Sequence, residues 1–176
     1  VVGYSMGGLV ALTRACRRQW VVTSLVLIGA TPGIAEPAVS AERRTSDEAL
    51  AASIETDGLE AFVDRWMANP LFVSQDALGE AFLAEARAQR LAADPRGLAR
   101  SLRGGGTGAM TPLHDRLPTC TVPTVLVVGE LDAKFRAIAA SMALPDARVE
   151  VVAGVGHAAH LEAPDRVVDI VMGHTA

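Results

Sequence analysis

The sequence predicts an α/β fold: a parallel sheet with flanking helices, interrupted by an all-helical insert. Three observations predict it. Two runs, Val21–Ile28 and Val122–Val128, are β-branched and almost unbroken in apolar residues. That is the composition of strands buried on both faces, as in a parallel sheet. Between about residues 35 and 117 apolar residues recur at helical spacing, with no strand signal. Beyond residue 120 strands and helices alternate through short loops, which a parallel sheet requires. Residues 1–34 and 118–176 are therefore expected to form the sheet-bearing core, and 35–117 a helical cap or lid.

The elements follow in order. Val1 and Val2 run as a strand into Gly3-Tyr4-Ser5-Met6-Gly7, and a helix from Met6 to about Gln19 leaves it with Leu9, Leu12 and Cys16 on one face. Arg17 and Arg18 suit the carbonyl end of that helix. The strand Val21–Ile28 ends in the loop Gly29–Gly33, which contains Pro32. The insert reads as helices near 41–56, 58–67, 75–92 and 95–103, the second carrying Leu59, Phe62, Val63 and Trp66 at helical spacing. Gly104–Gly108 reads as a flexible connector. The strand Val122–Val128 closes at Gly129, and a helix follows over 135–143. A short strand over 148–152, the loop Gly154–His157 and a helix opening at Ala163-Pro164 complete the chain.

Composition excludes several classes. The chain has 176 residues, enough for one domain with a core, and is 50% hydrophobic and 20% charged, as a soluble globular protein is. Net charge is −4, Lys134 is the single lysine, and the arginines are scattered, so nothing points to nucleic acid. No apolar run reaches the roughly 18 residues of a membrane span. Cys16 and Cys120 stand far apart in apolar settings and read as buried free thiols. With no secretory leader in the sequence, a cytoplasmic location is expected. The chain opens inside a strand without an initiating methionine, so it reads as the C-terminal part of a longer protein, and by itself is expected to be neither stable nor active.

Gly3-Tyr4-Ser5-Met6-Gly7 matches G-x-S-x-G, the strand-turn-helix elbow that exposes a nucleophilic serine. Asp132 lies just past the strand that closes at Gly129, and His157 lies in the glycine-rich loop after the next strand. Functional groups of open parallel sheets gather at the carboxyl ends of strands. The order Ser5, Asp132, His157 is that of the α/β-hydrolase fold, of which this chain would be the C-terminal portion with a helical cap insert. In such a triad His157 takes and returns the proton of Ser5, and Asp132 fixes the imidazole tautomer. The backbone N–H of Met6, at a helix start, would face an oxyanion. Four alternatives stand beside this. Asp132 could cap the following helix, Glu130 could be the acid, His157 could be an ordinary loop histidine, and His160 rivals it three residues on. His114 and His174 read as solvated.

Several stretches together resemble the SHCHC synthase (MenH) family of menaquinone biosynthesis, SHCHC being 2-succinyl-6-hydroxy-2,4-cyclohexadiene-1-carboxylate. They are the elbow Gly3–Gly8, Gly29-Ala30-Thr31-Pro32-Gly33, Ala41-Glu42-Arg43-Arg44-Thr45-Ser46-Asp47, and Phe62-Val63-Asp64-Arg65-Trp66 with Pro70-Leu71-Phe72. To these are added Gly129-Glu130-Leu131-Asp132-Ala133-Lys134-Phe135 and Gly154-Val155-Gly156-His157-Ala158-Ala159-His160. The resemblance implies a lyase that removes a proton from an enolpyruvyl cyclohexene dicarboxylate and eliminates pyruvate. In it the triad supplies the base, and no metal or organic cofactor is involved. It implies substrate contacts from Tyr4, Arg43, Trp66 and Arg90, the arginines serving carboxylates of the small-molecule substrate. Arg44, Arg87, Arg96 and Arg100 read as solvated helix faces. One departure stands out: Leu9 occupies a position where family members commonly carry arginine. A generic serine hydrolase, acting on esters or carbon–carbon bonds, is the alternative activity, and an inactive truncated remnant the alternative outside catalysis. The sequence leaves the oligomeric state open.

Overall fold

The computed structural model describes residues 1–175. The chain divides into two compact units: Val1–Gly33 with the chain from Pro112 onward, and Ile34–Thr111.

The first unit is a parallel sheet of four strands in the order of the chain: β1 (Val2–Tyr4), β2 (Leu25–Ile28), β3 (Thr124–Gly129) and β4 (Ala147–Val152). The register pairs Gly3 with Leu27, Leu27 with Leu126, and Leu126 with Val149. β2 and β3 are buried at every residue, as their unbroken apolar composition requires. Helix α1 (Ser5–Arg17) packs on β1 and β2 through the fully buried Leu9 and Leu12. One face of the sheet, Val26, Ile28, Val125, Val127 and Val152, forms a core with Val167 and Ile170 of the C-terminal helix (Pro164–Thr175). Because all four strands run the same way, the chain leaves them at one edge of the sheet.

Two expectations in this unit are corrected. The strand expected from Val21 starts at Leu25, and Gln19–Val21 is a 3-10 turn with Trp20 80% exposed. The Gln19 side chain causes this. Its Nε2 donates to the Thr119 carbonyl at 2.8 Å, and its Oε1 accepts from the Thr121 N–H and hydroxyl, which holds the turn away from the sheet. His174, expected to be solvated, is half-buried: Nε2 faces the Pro123 carbonyl at 3.1 Å and Nδ1 lies 3.3 Å from Arg148. Cys16 and Cys120 are buried and free. Burial, with the Cys120 thiol as a hydrogen-bonding neighbour, pushes the Cys16 thiol up to about 12.

The second unit is helical: α2 (Pro37–Asp57), α3 (Leu59–Met67), a 3-10 stretch (Pro70–Leu78), α4 (Glu80–Leu91) and α5 (Pro95–Gly105). Its core joins Ala51 and Ile54 to Phe62, Val63, Ala99 and Leu102, with Trp66 packed against it. α2 begins four residues before the expected start, with Pro37 in the first turn, where a missing N–H costs nothing. The helix expected over 75–92 is divided, its first part being 3-10 up to the turn at Gly79. Gly104 and Gly105 are helical rather than a flexible connector, and the N–H of Gly106 closes the helix onto the Leu102 carbonyl. Arg103 ties α5 to α2 through both Glu48 and Glu55 at 2.7–2.8 Å.

Candidate active site

At the end of β1 the chain turns from extended Tyr4 (φ −107°) directly into α1 through Ser5, whose φ is +49°. Ser5 is the one non-glycine residue with positive φ among those described. Such a conformation costs of order 1–3 kcal/mol and persists only where the surroundings impose it. Here the imposing feature is the approach of strand to helix. A Cβ on Gly3 would lie 2.7 Å from the Gly8 Cα and 2.8 Å from the Gly7 carbonyl oxygen. The turn lifts the Ser5 hydroxyl above the sheet edge. It also leaves the Met6 N–H in the first turn of α1, where N–H groups lack intrahelical partners.

β3 and β4 end beside it. Ser5 Oγ lies 3.0 Å from Nε2 of His157, and Nδ1 of His157 lies 2.7 Å from Oδ2 of Asp132. Asp132 and His157 are 7% and 2% exposed, so the pair is withdrawn from water while Ser5 stays half-open. Asp132 also caps the helix Ala133–Ser141, its Oδ1 accepting from the Phe135 N–H at 3.1 Å. Cap and histidine partner are thus one carboxylate with one oxygen for each. Glu130 faces elsewhere, its Oε2 accepting from the Gly154 N–H at 2.8 Å.

The imidazole of His157 is held in place by rings and backbone. Phe135 is 4.4 Å away and Tyr4 5.2 Å, both tilted. Gly29, at φ +53°, admits it, since a Cβ there would stand 2.8 Å from Cε1 of the ring. Burial lowers the basicity of His157 below the ordinary 6.5, outweighing the nearby Asp132 carboxylate that acts the other way. The lowered basicity favours the neutral imidazole near pH 7, and the tautomer that donates to Asp132 at Nδ1 presents Nε2 to the Ser5 hydroxyl as an acceptor. The ring of His160 lies against Tyr4 at 4.3 Å with Nδ1 buried, and it too is held below the ordinary range, first by burial and then by the neighbouring His157.

Ser5, Met6, Tyr4, Asp132 and His157 all lie in the sheet-bearing unit, whereas Arg43, Trp66 and Arg90 lie in the helical unit. There, Arg43 Nε donates to the buried Asp47 at 2.8 Å, and Arg90 donates to the Ala86 carbonyl one turn back. Trp66 stacks on Phe62 at 5.8 Å and tilts against Phe72. Arg44, Arg96 and Arg100 are exposed, as expected. Arg87 is not simply solvated, because it pairs with Asp64 and Glu60 at 2.7 Å. Sequence reasoning missed Glu162, which accepts from backbone on both sides of His157; its position five residues after the histidine was the only signal. Among the described residues no cluster of His, Cys, Asp and Glu could hold a metal ion, and no helix is long and apolar enough to cross a membrane.

This geometry agrees with what the chain is similar to. A family model described as the alpha/beta hydrolase family matches residues 1–170. The chain is 42% identical over 166 residues to a Bacillus subtilis protein provisionally named 2-succinyl-6-hydroxy-2,4-cyclohexadiene-1-carboxylate synthase, covering 93% of this chain and 61% of that one. It is 35% identical to the synthase of that name from Citrobacter koseri, covering 96% of this chain and 65% of the relative. The solved structure of MenH from S. aureus superposes with a TM-score of 0.95 at 38% identity, over 98% of this chain and 66% of that one. A thermophilic esterase from Thermogutta terrifontis shares the fold at a TM-score of 0.82 and 23% identity. The chain spans less than two thirds of the length of each of these relatives.

Proposed function

We propose that this chain, which belongs to the alpha/beta hydrolase family, carries the catalytic triad and helical cap of an SHCHC synthase. The observation that supports it most is the Ser5–His157–Asp132 relay, in a chain 42% identical to a protein named for that reaction. In this reading His157 draws the Ser5 proton at Nε2, and the serine oxygen abstracts a proton from the ring of the enolpyruvyl cyclohexene dicarboxylate. The C–H electron pair enters the ring as the new double bond, and the C–O bond breaks with its pair on the enolpyruvyl oxygen. The enolate that departs takes up the proton held by His157 and ketonises to pyruvate, which returns the histidine to its neutral form. Asp132 steadies the imidazolium that forms meanwhile. The Met6 N–H is the donor for developing negative oxygen. Tyr4, Arg43, Trp66 and Arg90 are substrate-binding residues, the two arginines for the carboxylates, and the unit Ile34–Thr111 is the lid. The reaction draws on these side chains without a cofactor, the substrate is a small polyanion, and the setting is the cytoplasm.

A second reading is favoured by Leu9. It is fully buried in α1 and offers no cation to a carboxylate, so an acyl-serine hydrolase is the competing activity. The deciding experiment expresses the protein from its complete reading frame and compares pyruvate release from the enolpyruvyl substrate with hydrolysis of a simple aryl ester, each with a Ser5→Ala control. Serine-dependent pyruvate release supports the synthase. Serine-dependent ester turnover alone supports the hydrolase.

A further inference from the structure

The loop that carries His157 follows β4, beyond the last β3–β4 pair, Gly129 with Val152. Buried N–H groups must nevertheless find acceptors. Here the buried Gly156 and Ala158, and the exposed Gly154 before them, do so through carboxylates. The Gly154 N–H reaches Glu130 Oε2 at 2.8 Å, and the Gly156 N–H reaches Glu162 Oε2 at 2.7 Å. The Ala158 N–H reaches Glu162 Oε1 at 3.2 Å, and the Val155 carbonyl between them accepts from the Leu131 N–H at 2.9 Å. One carboxylate, on the short helix Ala159–Glu162, therefore uses both oxygens on the residues immediately before and after His157.

We propose that Glu162 is a positioning residue for His157: it clamps the peptide groups on either side of the histidine and so fixes where Nε2 points. The proposal rests on the reading that His157 relays the proton of Ser5. Its physical basis is that a proton relay depends on sub-ångström placement of the imidazole, and the ring contacts with Phe135 and Tyr4 restrain the ring plane but not the height of the Cα. Bidentate acceptance fixes that height from both sides. A glutamine there is isosteric yet has one acceptor oxygen, so it satisfies one N–H and confronts the other with a second donor. Glu162 also brings a negative charge toward the imidazole. The other groups that face it are Asp132 at Nδ1, Ser5 at Nε2, Lys134, and the Tyr4 ring with His160 behind it.

The test is Glu162→Gln in the protein expressed from its complete reading frame, read in two ways. Steady-state kinetics are expected to show kcat falling between about tenfold and about a hundredfold, with KM changed by less than about twofold. NMR titration of the His157 Cε1–H is expected to show its midpoint moving to lower pH, because a carboxylate that favours the imidazolium has gone. Retention of wild-type kcat overturns the proposal. So does a loss of activity that tracks a lowered melting temperature while the His157 midpoint stays put, since that is the mark of a merely structural residue. The titration needs no substrate. A protein without synthase activity therefore refutes the functional reading, while the titration still decides the role of Glu162.

Discussion

Ser5 holds a left-handed backbone angle of +49°, and its hydroxyl oxygen stands 3.0 Å from Nε2 of His157. The strain and the contact belong together, since the angle is what carries Oγ out of the strand-to-helix junction toward the histidine. Ser5→Ala and Ser5→Gly both remove Oγ, and each is expected to lower turnover at least about a thousandfold. They differ in stability. Alanine keeps the left-handed strain and glycine relieves it, so Ser5→Gly should be the more stable of the two by about 1 kcal/mol in urea unfolding. Equal stabilities would show that the turn is not strained.

Asp132 serves two partners with two oxygens, and the two roles separate by substitution. Asparagine is as good a helix cap as aspartate, but it cannot hold the imidazole in the donor tautomer. Asp132→Asn is expected to cost about 10⁴ in kcat with little loss of stability. Asp132→Ala is expected to lose activity and about 1 kcal/mol of cap energy besides. An asparagine variant as unstable as the alanine variant would contradict the division.

Gly29→Ala would place a methyl group 2.8 Å from the His157 ring, at a φ of +53° that alanine disfavours. Overpacking and backbone strain together are expected to cost about 1–3 kcal/mol, with a fall in kcat because the imidazole must move. Chemical denaturation and kinetics on the same preparation check both.

His157 and His160 are both held below the ordinary histidine value of 6.5, chiefly by burial. Just below pH 6.5 the unfolded chain therefore binds more protons than the folded one, and stability rises with pH across that window. It is fully present above about pH 6.5 and is lost as pH falls toward the depressed native values. The arginine-paired carboxylates Glu48, Glu55 and Asp64 are also held low, but they act below their ordinary values of 4.5 and 3.8. Urea midpoints at pH 7.5 and 5.5 thus isolate the histidines, and the midpoint at 5.5 is expected to be lower. Equal midpoints would refute the assignment.

The gathering of Ser5, Asp132 and His157 could be read from the sequence because each follows an apolar run closely, and a parallel sheet puts the ends of such runs at one edge. The sequence favours Asp132 and leaves Glu130 as a rival, since both follow the same strand; in the structure Asp132 meets His157 at 2.7 Å and Glu130 turns to the Gly154 N–H. What escaped was set by side chains acting across the chain. Gln19 captures Thr119 and Thr121 a hundred residues on and shortens β2. Arg103 gathers Glu48 and Glu55 and makes Gly104–Gly105 the end of a helix that glycine content alone argues against. Local propensity carries no trace of such long-range pairings.

The most direct test of the central claim is pyruvate release from the enolpyruvyl cyclohexene dicarboxylate by the protein expressed from its complete reading frame, with Ser5→Ala alongside. The account predicts release by the parent protein and its loss in the variant. Absence of release from a folded parent protein, or release undiminished by Ser5→Ala, would contradict it.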